Sequence, residues 1–241
     1  LICEGTRMEK EPEHEYLEKE VEEKVSKILS KSKGMVFCHF SMSNVDRFMS
    51  FYKATVKNKR KLIISTRHAY IIQNLREKIP VLPDVFNDKN ILVYFRPCRS
   101  CTFIDKDYYV WEREFMGKMV NYHDLQKDQD KYVMHMGIFG LMELVYLQHK
   151  NADFIYSSSE HFLEGEDKKE EKEVWDNWMD HFGINFHKAH CSGHAPKHDI
   201  VKTIEQINPK VLIPVHTNVP KEFKKYHKKV ILPEKGKKIE L

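Results

Sequence analysis

Apolar positions along the chain keep two rhythms, one of helices and one of buried strands, and the two alternate. Between Glu9 and Lys33, Leu17, Val21, Val25, Ile28 and Leu29 form one helical stripe on a charged background, and Gly34 ends it. Met35 to Phe40 is a continuous apolar run of strand length, and Val45, Phe48, Met49 and Tyr52 return to helical spacing. The pattern predicts strands over Lys61 to Ser65, Ile91 to Phe95, Tyr132 to Met136 and Ala152 to Tyr156. Between and after them it predicts helices over Arg67 to Ile79, Tyr108 to Tyr122, Phe139 to Leu147 and around Trp175 and Trp178. Ile200, Val201, Ile204 and Ile207 mark a helix over Ala195 to Ile207 that Pro209 stops, and Val211, Leu212, Ile213 and Val215 come next as a short strand. Such alternation predicts an α/β fold with a Rossmann-like parallel sheet covered by helices on both faces. Pro, Asn and Asp mark Pro80 to Asn90 and Arg96 to Asp107 as loops.

With 241 residues, 41% of them apolar, the chain has enough material for one large or two modest cores. No apolar run has the length of a membrane-spanning helix and no charged-then-apolar leader opens the sequence, so neither insertion nor secretion is expected. The five cysteines are odd in number and scattered, which suits a reducing cytoplasm. Cys98 and Cys101 alone have metal or redox spacing, and a single CxxC leaves structural zinc and free thiols both open. The net charge of +4 is compatible with nucleic acid without demanding it. Leu1 stands without a Met inside what reads as a core strand, so a fragment or a processed chain is expected.

Two histidines sit where chemistry has use for them. His194 precedes the predicted helix and His216 ends the strand after it, so both are expected at the loop-bearing edge of an α/β unit, in reach of one reacting group or one metal ion. Residues alone leave open that each is an ordinary polar loop histidine. Ser43 opens a helix after a strand, with Arg47 one turn in, which is either a plain N-cap with a surface arginine or a phosphate site. Ser157, Ser158 and Ser159 come after another strand as hydrogen-bond donors for a phosphate or as a common serine loop. Lys221 to Lys238 is strongly basic and reads as an RNA-phosphate patch or a solvated tail.

The residues around the histidines carry a resemblance. Ser192-Gly193-His194-Ala195, a helix, and then Ile213-Pro214-Val215-His216 resemble motifs B and C of the β-CASP branch of the metallo-β-lactamase superfamily, which includes RNase J and the mRNA 3′-end processing endonucleases. Leu1-Ile2-Cys3-Glu4-Gly5-Thr6-Arg7 resembles that family's motif A, although Cys3 and the Gly5-Thr6-Arg7 ending depart from the commoner Ser-Thr pair. Ser43-Asn44-Val45-Asp46-Arg47 is similar to the segment that helps hold the RNA backbone in RNase J-like enzymes. The resemblance implies that residues 1–7 end an N-terminal metallo-β-lactamase portion, 8–165 form a β-CASP domain and 166–241 return as the C-terminal part of an αββα sandwich. The preceding half, with its HxHxDH zinc segment, finds no match in this sequence.

The resemblance further implies a zinc-dependent ribonuclease with two zinc ions in the complete protein, this chain alone being inactive. His216 would be a zinc ligand, while His194, oriented by Glu4, would contact the scissile phosphate or assist the leaving group. Ser43, Arg47, Ser157, Ser158 and Ser192 would bind substrate. Single-stranded RNA is the expected partner, with a homodimer compatible, no membrane, and a cytoplasmic location. A non-catalytic RNA-binding or scaffold member of the same fold and a metallo-hydrolase of small molecules are the alternatives. A nucleotide-binding Rossmann domain has no GxGxxG in the chain to support it.

Overall fold

In the computed structural model, residues 1–9, 17–159 and 168–239 are described. The start of the charged helix at Glu9 to Lys33, the run beginning at Glu164 and the 165/166 boundary fall partly or wholly outside them. The chain forms two compact units, one from residues 17–191 and one from residues 1–16 and 192–241.

The larger unit is a seven-stranded sheet whose strand pairs are all parallel. Its strands are β2 (Val36–His39), β3 (Lys61–Ser65), β4 (Ile91–Tyr94), β5 (Met119–Val120), β6 (Tyr132–His135), β7 (Asp153–Tyr156) and β8 (Asn185–Lys188). They lie in the order β5-β4-β3-β6-β2-β7-β8. The chain therefore steps outward from β2 through β3 and β4 to β5, then returns to lay β6 between β3 and β2.

Period-two burial sorts each strand between two cores. Val36, Cys38, Leu62, Ile64, Val133 and Ile155 enter one core with α1 (Glu18–Lys31), α2 (Val45–Lys57) and α3 (Thr66–Leu75). Phe37, Ile63, Met134, Phe154 and Tyr156 enter the other, with α5 (Glu143–Leu147) and α6 (Lys169–Phe182). In α1 the buried positions are Val21, Val25 and Leu29, with Ile28 partly buried. Leu17, the first position of the stripe read from the sequence, is instead the exposed N-cap, and its N–H donates to the Glu20 carboxylate at 2.8 Å to close the helix start. A mixed α/β fold with a Rossmann-like parallel sheet is thus what the chain adopts.

Three elements differ from their predicted form. The helix expected over Tyr108 to Tyr122 is a single turn, α4 (Val110–Arg113), followed by a 3-10 turn and by β5. Met119 and Val120 pair with Val93 and Tyr94, so the open edge of β4 outbids helical periodicity. Phe139 to Leu147 likewise splits into a 3-10 turn and α5. The segment after residue 167 belongs to the larger unit as far as Cys191, because β8 pairs in register with β7, Asp153 opposite Asn185.

The smaller unit is built on two parallel strands, β1 (Ile2–Glu4) and β9 (Ile213–Val215), with Glu4 opposite Val215. The helix α7 (Lys197–Ile207) buries Ile200 and Ile204 against Met8, Leu212 and Phe223. Gly5 comes directly after β1 because a Cβ there would stand 2.5 Å from the Phe223 ring. Among the described residues, no helix is long and apolar enough to cross a membrane.

Candidate metal centre

Parallel pairing of β1 with β9 brings two carboxyl ends of strands together. Glu4 closes β1, and His216 comes just after β9 in a left-handed conformation, φ 48°, that turns its side chain out of the strand path. His194 comes from the loop before α7. The donor atoms of Glu4, His194 and His216 all lie within 4.8 Å of one another, and among the described residues no other His, Cys, Asp and Glu group is so arranged.

Each member is held. Oε2 of Glu4 accepts from the Thr6 N–H at 2.8 Å and stands 3.5 Å from Nδ1 of His194, while Oε1 accepts from the Ala195 N–H at 3.1 Å. Burial works to raise the Glu4 carboxyl, but the Thr6 bonds, the His194 imidazole and the Ala195 N–H together hold it below the ordinary carboxylate range. The His194 and His216 rings meet edge to face at 5.3 Å between centroids. The Thr6 hydroxyl lies 3.3 Å from Nδ1 of His216 and donates to the His216 carbonyl at 3.2 Å. Arg7 donates to the His194 carbonyl at 3.3 Å, and Ser192 Oγ accepts from the His194 N–H at 3.1 Å.

Two imidazoles and a carboxylate are donors that zinc takes, and three of them leave a position open for solvent or substrate. The His194 side chain is 42% exposed, so that side is accessible. The donor set fits a zinc ion.

The other sequence candidates separate into accessible and occupied. Arg47 is 1% exposed. Its Nε and Nη2 form a two-point pair with Glu18 at 2.8 and 3.1 Å, Nη1 donates to the Ser157 carbonyl and hydroxyl at 2.7 and 2.8 Å, and Nη2 also reaches the Cys191 carbonyl at 3.1 Å. A guanidinium so committed has no free edge for a phosphate, and the expected substrate role of Arg47 gives way to a structural one. Ser157, 2% exposed and bonded both to Arg47 and to the Ala189 carbonyl, is occupied in the same way. The expected Ser43 cap is Asn44, whose side chain accepts from the Arg47 N–H, and Ser43 itself is exposed and shares a 2.7 Å bond with Ser41. Ser158 is half-buried and Ser192 exposed. Cys98 and Cys101 are free thiols, and Cys98 donates to the Asp107 carbonyl at 3.0 Å.

The contacts of Thr6 and Arg7 escaped the sequence, since their partners lie about 190 to 210 residues away. Only their place directly after Glu4 hinted at them.

Residues 185–239 match the sequence model of the Zn-dependent metallo-hydrolase RNA specificity domain, a domain found in β-CASP metallo-β-lactamase proteins. Residues 185–239 carry this RNA specificity domain. The matched description is that of a zinc-dependent metallo-hydrolase family with RNA specificity, and His194 and His216 of the cluster lie within the match. No curated protein sequence matches the chain. Among solved structures, a protein of unknown function from Enterococcus faecalis V583 superposes with a TM-score of 0.67 at 22% identity, over 98% of this chain and 50% of that one. The chain thus spans half the length of that structure, and the likeness establishes the fold.

Proposed function

We propose that the chain takes part in zinc-dependent cleavage of single-stranded RNA, with Glu4, His194 and His216 as its share of the active site. The observation that carries this reading is the convergence of those three groups within 4.8 Å, beside a match to an RNA specificity domain of zinc hydrolases. When bound, zinc supplies Lewis acidity toward a phosphodiester and toward attacking water.

His216 offers a ring nitrogen to the metal, and Thr6 sets the ring's orientation. Glu4, held below the ordinary carboxylate range by Thr6, His194 and Ala195, faces Nδ1 of His194 at 3.5 Å and orients the ring. His194 then holds a proton at Nε2 for the leaving oxygen of a cleaved phosphodiester. Ser192 fixes the His194 backbone, so the imidazole turns on a held loop. The same clustering favours a second reading, in which all three side chains ligate one ion and His194 is itself a ligand.

Zinc affinity is measured on the 241-residue chain by chelator competition, and cleavage of a labelled single-stranded RNA on the full-length gene product. His216→Ala should weaken zinc binding, and His194→Ala should abolish cleavage with zinc retained. Loss of zinc in both variants selects the single-ion reading. Intact RNA after incubation with the zinc-loaded gene product would overturn both.

A further inference from the structure

A cavity of about 660 Å³ opens in the larger unit, and every residue that lines it belongs to that unit. Its floor is the carboxyl end of the parallel sheet, with Ser65 ending β3, Tyr94 to Arg96 at the end of β4 and Met134 to Gly137 at the end of β6. β3 and β6 are neighbours, yet β3 leads into α3 in one core and β6 into α5 in the other. Adjacent strands whose connections leave to opposite faces make a topological switch point, the crevice where open α/β sheets take their ligands. The volume falls in the about 300–1,000 Å³ range of small-molecule sites.

The lining specifies a ligand class. Tyr109, Trp111 and Phe139 border the cavity at 65, 39 and 91% exposure. Arg99 lies over the Tyr109 ring at 5.6 Å and Tyr70 packs edge to face on Trp111. Phe139 and the exposed part of Trp111 remain as aromatic surface that a flat, stackable group would cover. Glu143 is 6% exposed and faces the same space, accepting from the Tyr94 hydroxyl at 2.6 Å and, at 3.3 Å, from Arg96. Its oxygens retain acceptor capacity for an N–H edge.

Arg67 lines the mouth, is exposed, and forms no hydrogen bond or ion pair among the described residues. It stands in the first turn of α3, where the helix dipole disfavours a cation, so an anionic ligand group would relieve its position.

The far wall is a loop built to hold shape. Arg99, Cys101 and Phe103 all have positive φ, between 48° and 59°. The buried Asp107 carboxylate pins them by accepting from the Ser100 N–H and hydroxyl and from the Ile104 N–H. Strained residues over-determined in this way gather at ligand sites.

We propose that this cavity is a nucleotide pocket, in which the aromatic border stacks a nucleobase, Glu143 accepts from the base's N–H edge and Arg67 meets the phosphate. Guanine, with adjacent imino and amino donors, suits a carboxylate best. The occupant is one guanine nucleotide unit, either free or within an RNA strand. The inference rests on the RNA reading only for the second of those sources, and its test dispenses with zinc.

Fluorescence of Trp111, one of three tryptophans, is titrated in excess chelator with GMP, guanosine, and a 5′-phosphorylated guanine-containing oligoribonucleotide. Saturable quenching that Trp111→Phe removes is the expected result. Arg67→Gln should weaken GMP about tenfold and leave guanosine unchanged, as expected for one charge-assisted contact. Equal affinity for GMP and oligonucleotide identifies a free nucleotide as the ligand, and much tighter oligonucleotide binding identifies RNA. No saturable response to either ligand, or binding indifferent to Arg67→Gln and Phe139→Ala in variants with unchanged circular dichroism, overturns the pocket. Chelation removes the zinc site from the measurement, so failure here leaves the cleavage reading standing, and the reverse holds too.

Discussion

Acidification from pH 7 to pH 5 should destabilise the larger unit by about 4 kcal/mol, through two histidines at the carboxyl end of its sheet. His135 is 8% exposed and shares a 2.8 Å bond between Nε2 and the Phe40 carbonyl, while His68 packs edge to face on it at 4.6 Å. Burial, then the Arg67 charge and His39, push His68 down to about 4. Burial and the neighbouring His68 push His135 down to about 3 against the raising effect of the Phe40 bond, with His39 adding to the depression.

Both rings are therefore neutral in the folded protein at pH 5, whereas in the unfolded chain they take up protons below about 6.5. The unfolded state binds the extra protons, so stability is fully present above 6.5 and falls as pH drops toward the folded values. At pH 5 the gap of about 1.5 units costs roughly 2 kcal/mol per ring, at about 1.4 kcal/mol per unit. Urea unfolding followed by tryptophan fluorescence at the two pH values measures the loss, an expected midpoint shift of about 2 M for a slope near 2 kcal/mol/M. His68→Gln should halve the pH effect. Coincident midpoints at pH 7 and pH 5, or an undiminished pH effect in a folded His68→Gln protein, would refute the reasoning.

Replacing Arg47 by Ala should cost about 3–5 kcal/mol in the same unfolding assay, since it strands Glu18 and Ser157 beside a buried gap; Arg47→Lys should recover little, because an ammonium lacks the two-point fork. His149→Phe should instead stabilise by about 1–2 kcal/mol, because both ring nitrogens are buried without a hydrogen-bond partner between Phe37 and Phe182. Thr6→Val should leave thermal stability unchanged and weaken zinc about tenfold in chelator competition, by freeing the His216 ring.

Much of the fold was written in local pattern. The strand over Lys61 to Ser65 formed on those residues, and the helix stopped by Pro209 ends at Ile207, because burial on both sheet faces and a chain-breaking proline are properties of short segments. Tyr108 to Tyr122 misled because its apolar spacing serves an edge strand and a cavity border at once, and edge pairing is decided by a distant strand. Glu4, His194 and His216 were legible as motifs. The burial of Arg47 was not, since its partners span residues 18 to 191 and leave no local trace. The cavity was equally invisible, being assembled from three strand ends without a shared spacing.

Arg47 reaches both borders of the larger unit, Glu18 at the entry and Cys191 at the exit. That clasp has a consequence for how the protein is made. The smaller unit is encoded in two pieces, residues 1–16 and 192–241, and β1 waits at the ribosome for a partner some two hundred residues downstream. Once Arg47 is seated, the long intervening polypeptide no longer counts as a free loop, and the entropy of joining Ile2 to Ile213 falls to that of a short tether. A folded larger unit thereby eases the pairing of β1 with β9 that brings Glu4, His194 and His216 together.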